Sequence, residues 1–150
     1  MSATIDLTTV TNTIEALTIT GVTILDVDEI VEDMSMMPAT LAPRPEDFIT
    51  NTLITRDDSS GRLLKLEYTL NYRYYHCPIA GGLGGIFGSY SAMLTKILAI
   101  QLKLMDDAAL TGAVDYKDVA PYNIGPVQDP AGNWHLGCEF GINFTQFVEV

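Results

Sequence analysis

The chain has 150 residues, 47% hydrophobic and 18% charged, with 19 acidic residues against eight basic ones for a net charge of −11. That length suits a single domain spanning 1–150, with a core that needs no disulfide or metal staple, and the composition excludes disorder over most of the chain. The acidic balance excludes a protein that grips nucleic-acid phosphates, and no apolar run approaches the roughly 20 residues needed to span a bilayer.

Residues 4–17 read as a helix, because Ile5, Val10, Ile14 and Leu17 recur at roughly helical spacing, although the many threonines oppose it. The opening Met-Ser-Ala-Thr-Ile-Asp lacks the basic flank and apolar core of a signal peptide, so a soluble cytoplasmic protein is expected. Val22–Leu25 is a short strand. Asp26, Asp28, Glu29, Glu32 and Asp33 follow in a solvated loop or short helix. A calcium loop fails there: Ile30 and Val31 stand at positions five and six, and Met37 stands where glutamate is required. Pro38, Pro43 and Pro45 make the next segment an extended arm that crosses an edge of the fold or reaches a neighbouring subunit.

Phe48–Arg56 is rich in β-branched residues and reads as a strand. Asp57–Gly61 is a hairpin loop leading into a longer strand, Arg62–Tyr75. There Leu64, Leu66, Tyr68, Leu70, Tyr72 and Tyr74 share one parity, and Lys65, Glu67, Thr69, Asn71 and Arg73 share the other. That alternation predicts one buried and one wet face. His76–Gly88 reads as a flexible, glycine-rich loop anchored by Leu83, Ile86 and Phe87. It is no dinucleotide fingerprint, since Phe87 occupies the third glycine position after Gly82 and Gly84, and no P-loop lysine follows. Ser89 is expected to cap a strongly apolar helix over 89–109. Its face is drawn from Tyr90, Met93, Leu94, Ile97, Leu98, Leu102 and Met105, with Ile100 and Leu104 beyond it. So apolar a helix is either deeply packed or covered twice, by its own sheet and by another subunit. Residues 118–128 can form another strand, interrupted by Pro121 and Pro126, which place it at an edge or make it bulged. After a turn at 129–133, Trp134 to Phe144 alternate in a second long amphipathic strand. The fold class is α+β: a mainly antiparallel sheet of long strands with two helices packed on one face.

Chemistry is sparse. Cys77 and Cys138 suggest no disulfide framework. His76 beside Cys77, and His135 three residues before Cys138, would face opposite sides of their strands, leaving too few ligands for zinc. Neither histidine has an evident acid or nucleophile partner. Nucleophile-elbow, metalloprotease and Walker motifs do not occur. A carboxylate dyad built from distant acids is left open by sequence alone. The expectation is no enzyme, no catalytic residue, no cofactor and no metal.

The layout as a whole resembles the tail-terminator, or tail-completion, proteins of long-tailed bacteriophages. The resemblance covers nearly the whole chain. It runs from the opening helix through the arm Pro38, Leu41, Pro43, Pro45 into Phe48-Ile49-Thr50. The long hairpin, the apolar helix, the proline-broken strand and the closing strand Trp134–Phe144 follow. It implies a homo-oligomer, a hexameric ring at the head-proximal end of the virion tail, assembled in the host cytoplasm. That ring would stop growth of the tail-tube protein and dock the head-completion protein. DNA would pass through its lumen without specific binding. A tail-tube or head-closure subunit is the alternative in the same setting. From a different class, a small ligand-binding or enzymatic α+β domain would need a concave pocket with convergent polar groups. Loops on a rigid sheet usually carry recognition. The candidate partner-binding residues are therefore Asp57 and Asp58 at the hairpin tip, and Leu83, Ile86 and Phe87 in the glycine-rich stretch. The alternative for the last three is that they plug the domain's own core.

Overall fold

A computed structural model, describing residues 6–56, 63–79 and 82–149, has its longest strand pair at the centre of one sheet. The order along the chain is α1 (Leu7–Glu15), β1 (Thr23–Ile24), a 3-10 turn (Val27–Glu29), β2 (Thr40–Pro43), β3 (Ile49–Arg56) and β4 (Leu63–Pro78). Then come α2 (Gly82–Asp106), α3 (Ala108–Ala113), β5 (Tyr116–Gln128) and β6 (Trp134–Glu149). β4 pairs antiparallel with β6 along nearly its whole length, and β6 pairs antiparallel with β5. The other edge of β4 is shared: β2 occupies 72–75 and β3 occupies 64–70. β1 adds a short parallel step beyond β2. The expected α+β class is the observed one, with an added short helix, α3, capped by Asp107.

The even parity of β4 and β6 builds the core. Leu66, Tyr68, Leu70, Tyr72 and Tyr74 pack with Leu136, Cys138, Phe140, Ile142 and Phe144 beneath the helices. Tyr68 stacks on Phe144 at 5.4 Å between ring centroids. α1 contributes Val10 and Ile14; α2 contributes Met93, Ile97, Ile100 and Leu104. The threonines of α1 are reconciled with helix by bonding back to the preceding turn, Thr11 to the Thr8 carbonyl and Thr13 to the Thr9 carbonyl. Asp6 caps the first turn by accepting from Thr9.

Five sequence expectations are corrected. The odd face of β4 is not simply wet: Thr69, Asn71 and Tyr75 are buried. At one end of that face a second cluster forms from Leu25, Met34, Ala42, Tyr75 and Val127, because the acidic segment 25–37 lies across it like a strap. The glycine-rich stretch is not a loop. Residues 82–88 are the first two turns of α2, and Ser89 lies inside the helix. Glycine costs roughly 1 kcal/mol per helical position, but Leu83, Ile86, Phe87, Tyr90 and Leu94 keep helical spacing, and a long helix propagates cheaply once formed. A register shift between Tyr75 and Cys77 breaks the alternation, so Cys77 pairs with Leu136 and joins the core side. The proline arm, expected to cross an edge or reach a neighbouring subunit, is instead built into the sheet: its Thr40–Pro43 is β2, buried and paired with β1 on one side and β4 on the other. The last correction concerns which face of α2 is buried. The hairpin tip, 57–61, lies outside the described residues.

Candidate functional site

The most conspicuous surface is the outer side of α2. At about 3.6 residues per turn, Phe87, Leu94, Leu98, Leu102 and Met105 align in one stripe. All are exposed: Phe87 by 84%, Leu98 and Leu102 by 59% each. The buried stripe, Met93, Ile97, Ile100 and Leu104, lies roughly 110° away by the same geometry. The sequence reading expected Leu94, Leu98, Leu102 and Met105 on the packed face, and Ile100 and Leu104 beyond it. The structure splits the expected face: Met93 and Ile97 are buried and Tyr90 packs against the core as expected, but Ile100 and Leu104 join them and the other four are exposed, because α2 rests on β5 and β6 with a narrower face than its apolar content allows. These five residues form a contiguous apolar patch, unlike the singly scattered apolar residues of an ordinary surface.

Of the five candidate partner-binding residues, Phe87 is placed on this stripe. Leu83 and Ile86 fall in the first turns of α2, and their side chains lie outside the described set, as Asp57 and Asp58 do entirely. The residues missed by sequence reading are Leu94, Leu98, Leu102 and Met105. Their signal was the breadth of apolar positions around the helix, which exceeds what one sheet can cover.

The second sheet face holds the charged groups. Arg44 pairs with Asp47 and lies 3.2 Å from Glu139, and its Nη1 donates to the Tyr122 hydroxyl at 2.6 Å. Arg73 donates to Glu46 at 2.8 Å, to Glu139 at 2.9 Å and to the Gln128 carbonyl at 3.1 Å. Burial alone would raise the Glu139 carboxyl, but hydrogen bonds from Asn123 and Arg73 outweigh it and hold it below the usual range. A cleft of about 440 Å³ opens beside this network, lined by Arg73, Ile124, Val127, Trp134 and Glu139. Both arginines are spent on carboxylates, so the network is a strut between β2, β4 and β6 rather than an anion site. Further along the same face, Asn51, Glu67, Thr69, Asp118, Asn143 and Thr145 line a shallow polar hollow of about 350 Å³.

Both histidines have hydrogen-bond partners, and for His135 the partner is an acid, contrary to expectation. His76 Nδ1 lies 2.7 Å from the Tyr74 hydroxyl, and His135 Nε2 lies 3.0 Å from Asp129 Oδ2. The His135–Asp129 pair is buried on both sides and has no access for a substrate. Burial pushes the Cys138 thiol up to about 12, which keeps it protonated and unreactive. Among the described residues no three His, Cys, Asp or Glu side chains gather to hold a metal ion, and no helix is long and apolar enough to cross a membrane. Compared with models of protein families and with curated proteins, the sequence matches none.

Proposed function

We propose that this chain is a structural subunit that assembles with copies of itself into a ring of the tail-terminator kind. The ring would be a hexamer at the head-proximal end of a phage tail, ending tube growth and joining the tail to the head-completion protein. The observation that carries the reading is the exposed apolar stripe of α2. The five side chains, each presenting on the order of 150–200 Å² when fully exposed, leave a patch of roughly 500 Å², at the upper end for an isolated subunit. The net charge of −11 supports a lumen that lets DNA pass without holding it. The polar hollow around Glu67, Asp118 and Asn143, where Lys65 is bridged to Glu67 at 3.0 Å, is a surface of that character.

The test is genetic. Deleting the gene from the genome that carries it is expected to give overlong tails and unjoined heads in electron micrographs. Restoring the wild-type gene is expected to correct both, and a Leu98→Asp/Leu102→Asp variant is expected to fail. Normal particles from the deletion would refute the reading.

A further inference from the structure

β5 does not end as a flat ladder. Arg73 lies opposite Glu139, and Gln128 lies opposite Trp134. On a flat sheet those two rows would stand roughly 17 Å apart along β6, beyond an arginine's reach. Yet Arg73 Nη1 donates to the Gln128 carbonyl at 3.1 Å. The edge of the sheet is therefore sharply curled. The curl follows the irregularity between Tyr122 and Gly125, where Asn123 and Ile124 drop out of the pairing register. Asn123 takes a φ of 50° there, and Gly125 one of 143°. The curl gathers residues of both sheet faces around one cleft of about 440 Å³. Trp134, of core parity, thus shares its walls with Arg73 and Glu139 of the other face. Small-molecule sites span roughly 300–1,000 Å³, so the cleft is of that size.

What the cleft takes follows from which groups are still open. The charges are not. Arg73 donates to Glu46, Glu139 and the Gln128 carbonyl. Glu139 accepts from Arg73 and Asn123, with Arg44 3.2 Å away. A charged ligand would have to displace one of these partners. The amides are half open. Asn123 Nδ2 spends one hydrogen on Glu139, and Gln128 Nε2 spends one on the Gly132 carbonyl. Each keeps a second hydrogen, and neither amide oxygen accepts a hydrogen bond among the described residues. Each amide thus offers a donor and an acceptor side by side, which a hydroxyl or a pair of neighbouring hydroxyls complements. The remaining wall is apolar and wet, with Ile124 41% and Trp134 53% exposed. A ligand that fits is uncharged, carries hydroxyls along one edge and presents an apolar face. A pyranose ring has all three properties.

We propose that this cleft binds a neutral saccharide. The apolar face of one ring lies against Ile124 and Trp134, and its hydroxyls bond to Asn123 and Gln128. The site is separate from the α2 stripe, and neither it nor the ring reading depends on the other.

The chain has one tryptophan, which lines the cleft, so its emission reports this site alone. The protein is titrated with glucose, galactose, N-acetylglucosamine and maltose. Glycerol is the control that bears hydroxyls without a ring, and adenosine and inorganic phosphate are titrated alongside. At least one sugar is expected to shift Trp134 emission along a saturating curve, with its midpoint at about 1–10 mM for so small a ligand. Glycerol is expected to give no saturation. Gln128→Ala and Ile124→Ser are each expected to weaken that sugar about tenfold. Both side chains are exposed, so both variants are expected to melt as the wild type does. If one variant melts early, the other decides. In the wild type, nuclear Overhauser contacts between the sugar's ring protons and the single indole are expected, a check that needs no variant. No saturation by any of the four sugars overturns the proposal, as does binding that both variants leave at wild-type strength. Saturation by adenosine or phosphate in place of a sugar also overturns it and reassigns the cleft to that ligand.

Discussion

Asp129→Asn is expected to loosen one end of the molecule without touching its main core. The Asp129 side chain is fully buried, at the start of the turn between β5 and β6. Its Oδ2 accepts from Met34 N at 2.8 Å, from His135 Nε2 at 3.0 Å and from Asn133 Nδ2 at 3.2 Å; its Oδ1 accepts from Asn133 N at 2.8 Å. An ionised carboxylate only accepts, so His135 Nε2 carries the hydrogen. Burial alone would raise this carboxyl, but the bonds from Met34, His135 and Asn133 bring it from 3.8 down to about 2. That fall corresponds to about 2.5 kcal/mol. Because the folded value is the lower one, this stability is present above about pH 4 and is lost as pH falls towards 2. Asparagine must turn its NH₂ towards one of the two oxygen positions, and either way a donor faces a donor. The expected loss at pH 7 is about 2–4 kcal/mol, or roughly 10 °C in melting temperature for a chain of this length. Urea unfolding at pH 7 and at several values between 4 and 2 measures both effects. An unchanged midpoint at pH 7 would refute the reasoning, as would parallel loss of stability in wild type and variant between pH 4 and 2.

Gly137→Ala is expected to cost about 3 kcal/mol or more, because the added carbon would sit 1.8 Å from the Tyr74 carbonyl oxygen, which is backbone and cannot swing away. Gly141→Ala is the control: its nearest neighbours are at 3.7 and 3.8 Å, so its urea midpoint should stay much closer to the wild-type value than that of Gly137→Ala. Glu15→Gln is expected to flatten the pH dependence of the melting temperature between about 5 and 8. A hydrogen bond shared with Glu29, helped by desolvation and by the charges of Glu29 and Asp26, raises the Glu15 carboxyl to about 7. Its folded value lies above 4.5, so its contribution is complete below that pH and disappears as pH rises through 7. Equal pH slopes for variant and wild type would exclude the shared proton.

The parity of β4 and β6 was legible because each strand alternates large apolar and polar residues for more than ten positions, and burial follows that alternation on the core side from Leu66 to Tyr74 and from Leu136 to Phe144, though not at Trp134, which is exposed. The second face was not legible. Its cover comes from Met34 and the 25–37 strap, tied to a carboxylate 95 positions later in the chain. No local pattern announces such a contact. The start of α2 was hidden by glycines, whose propensity is local, whereas the helix is continued by apolar spacing and by cooperativity. The division of α2 into a packed and an open face was also out of reach. Leu98 and Ile97 are chemically alike, and only the position of β5 and β6 decides which one is buried.

Where apolar surface remains after folding is the strongest guide to what this chain does. The Asp129 hub closes one end of the sheet. It holds the strap through Met34, while Ala131 N donates to the Glu32 carbonyl and Asn133 Nδ2 to Asp33, each within 3.0 Å. The Arg44–Arg73–Glu139 strut ties β2 to β4 and β6 and spends its charges internally. With the core face roofed by helices, the largest apolar exposures apart from Met36 on the strap and Trp134 at the start of β6 are on β3 and on the outer side of α2. Neither surface contributes to the core cluster, apart from the opposite stripe of α2. Substitutions there should therefore change assembly while leaving melting temperature nearly intact, whereas substitutions such as Gly137→Ala should do the reverse. Such a separation, between residues that fold the subunit and residues left free to join copies, is what the proposed ring requires.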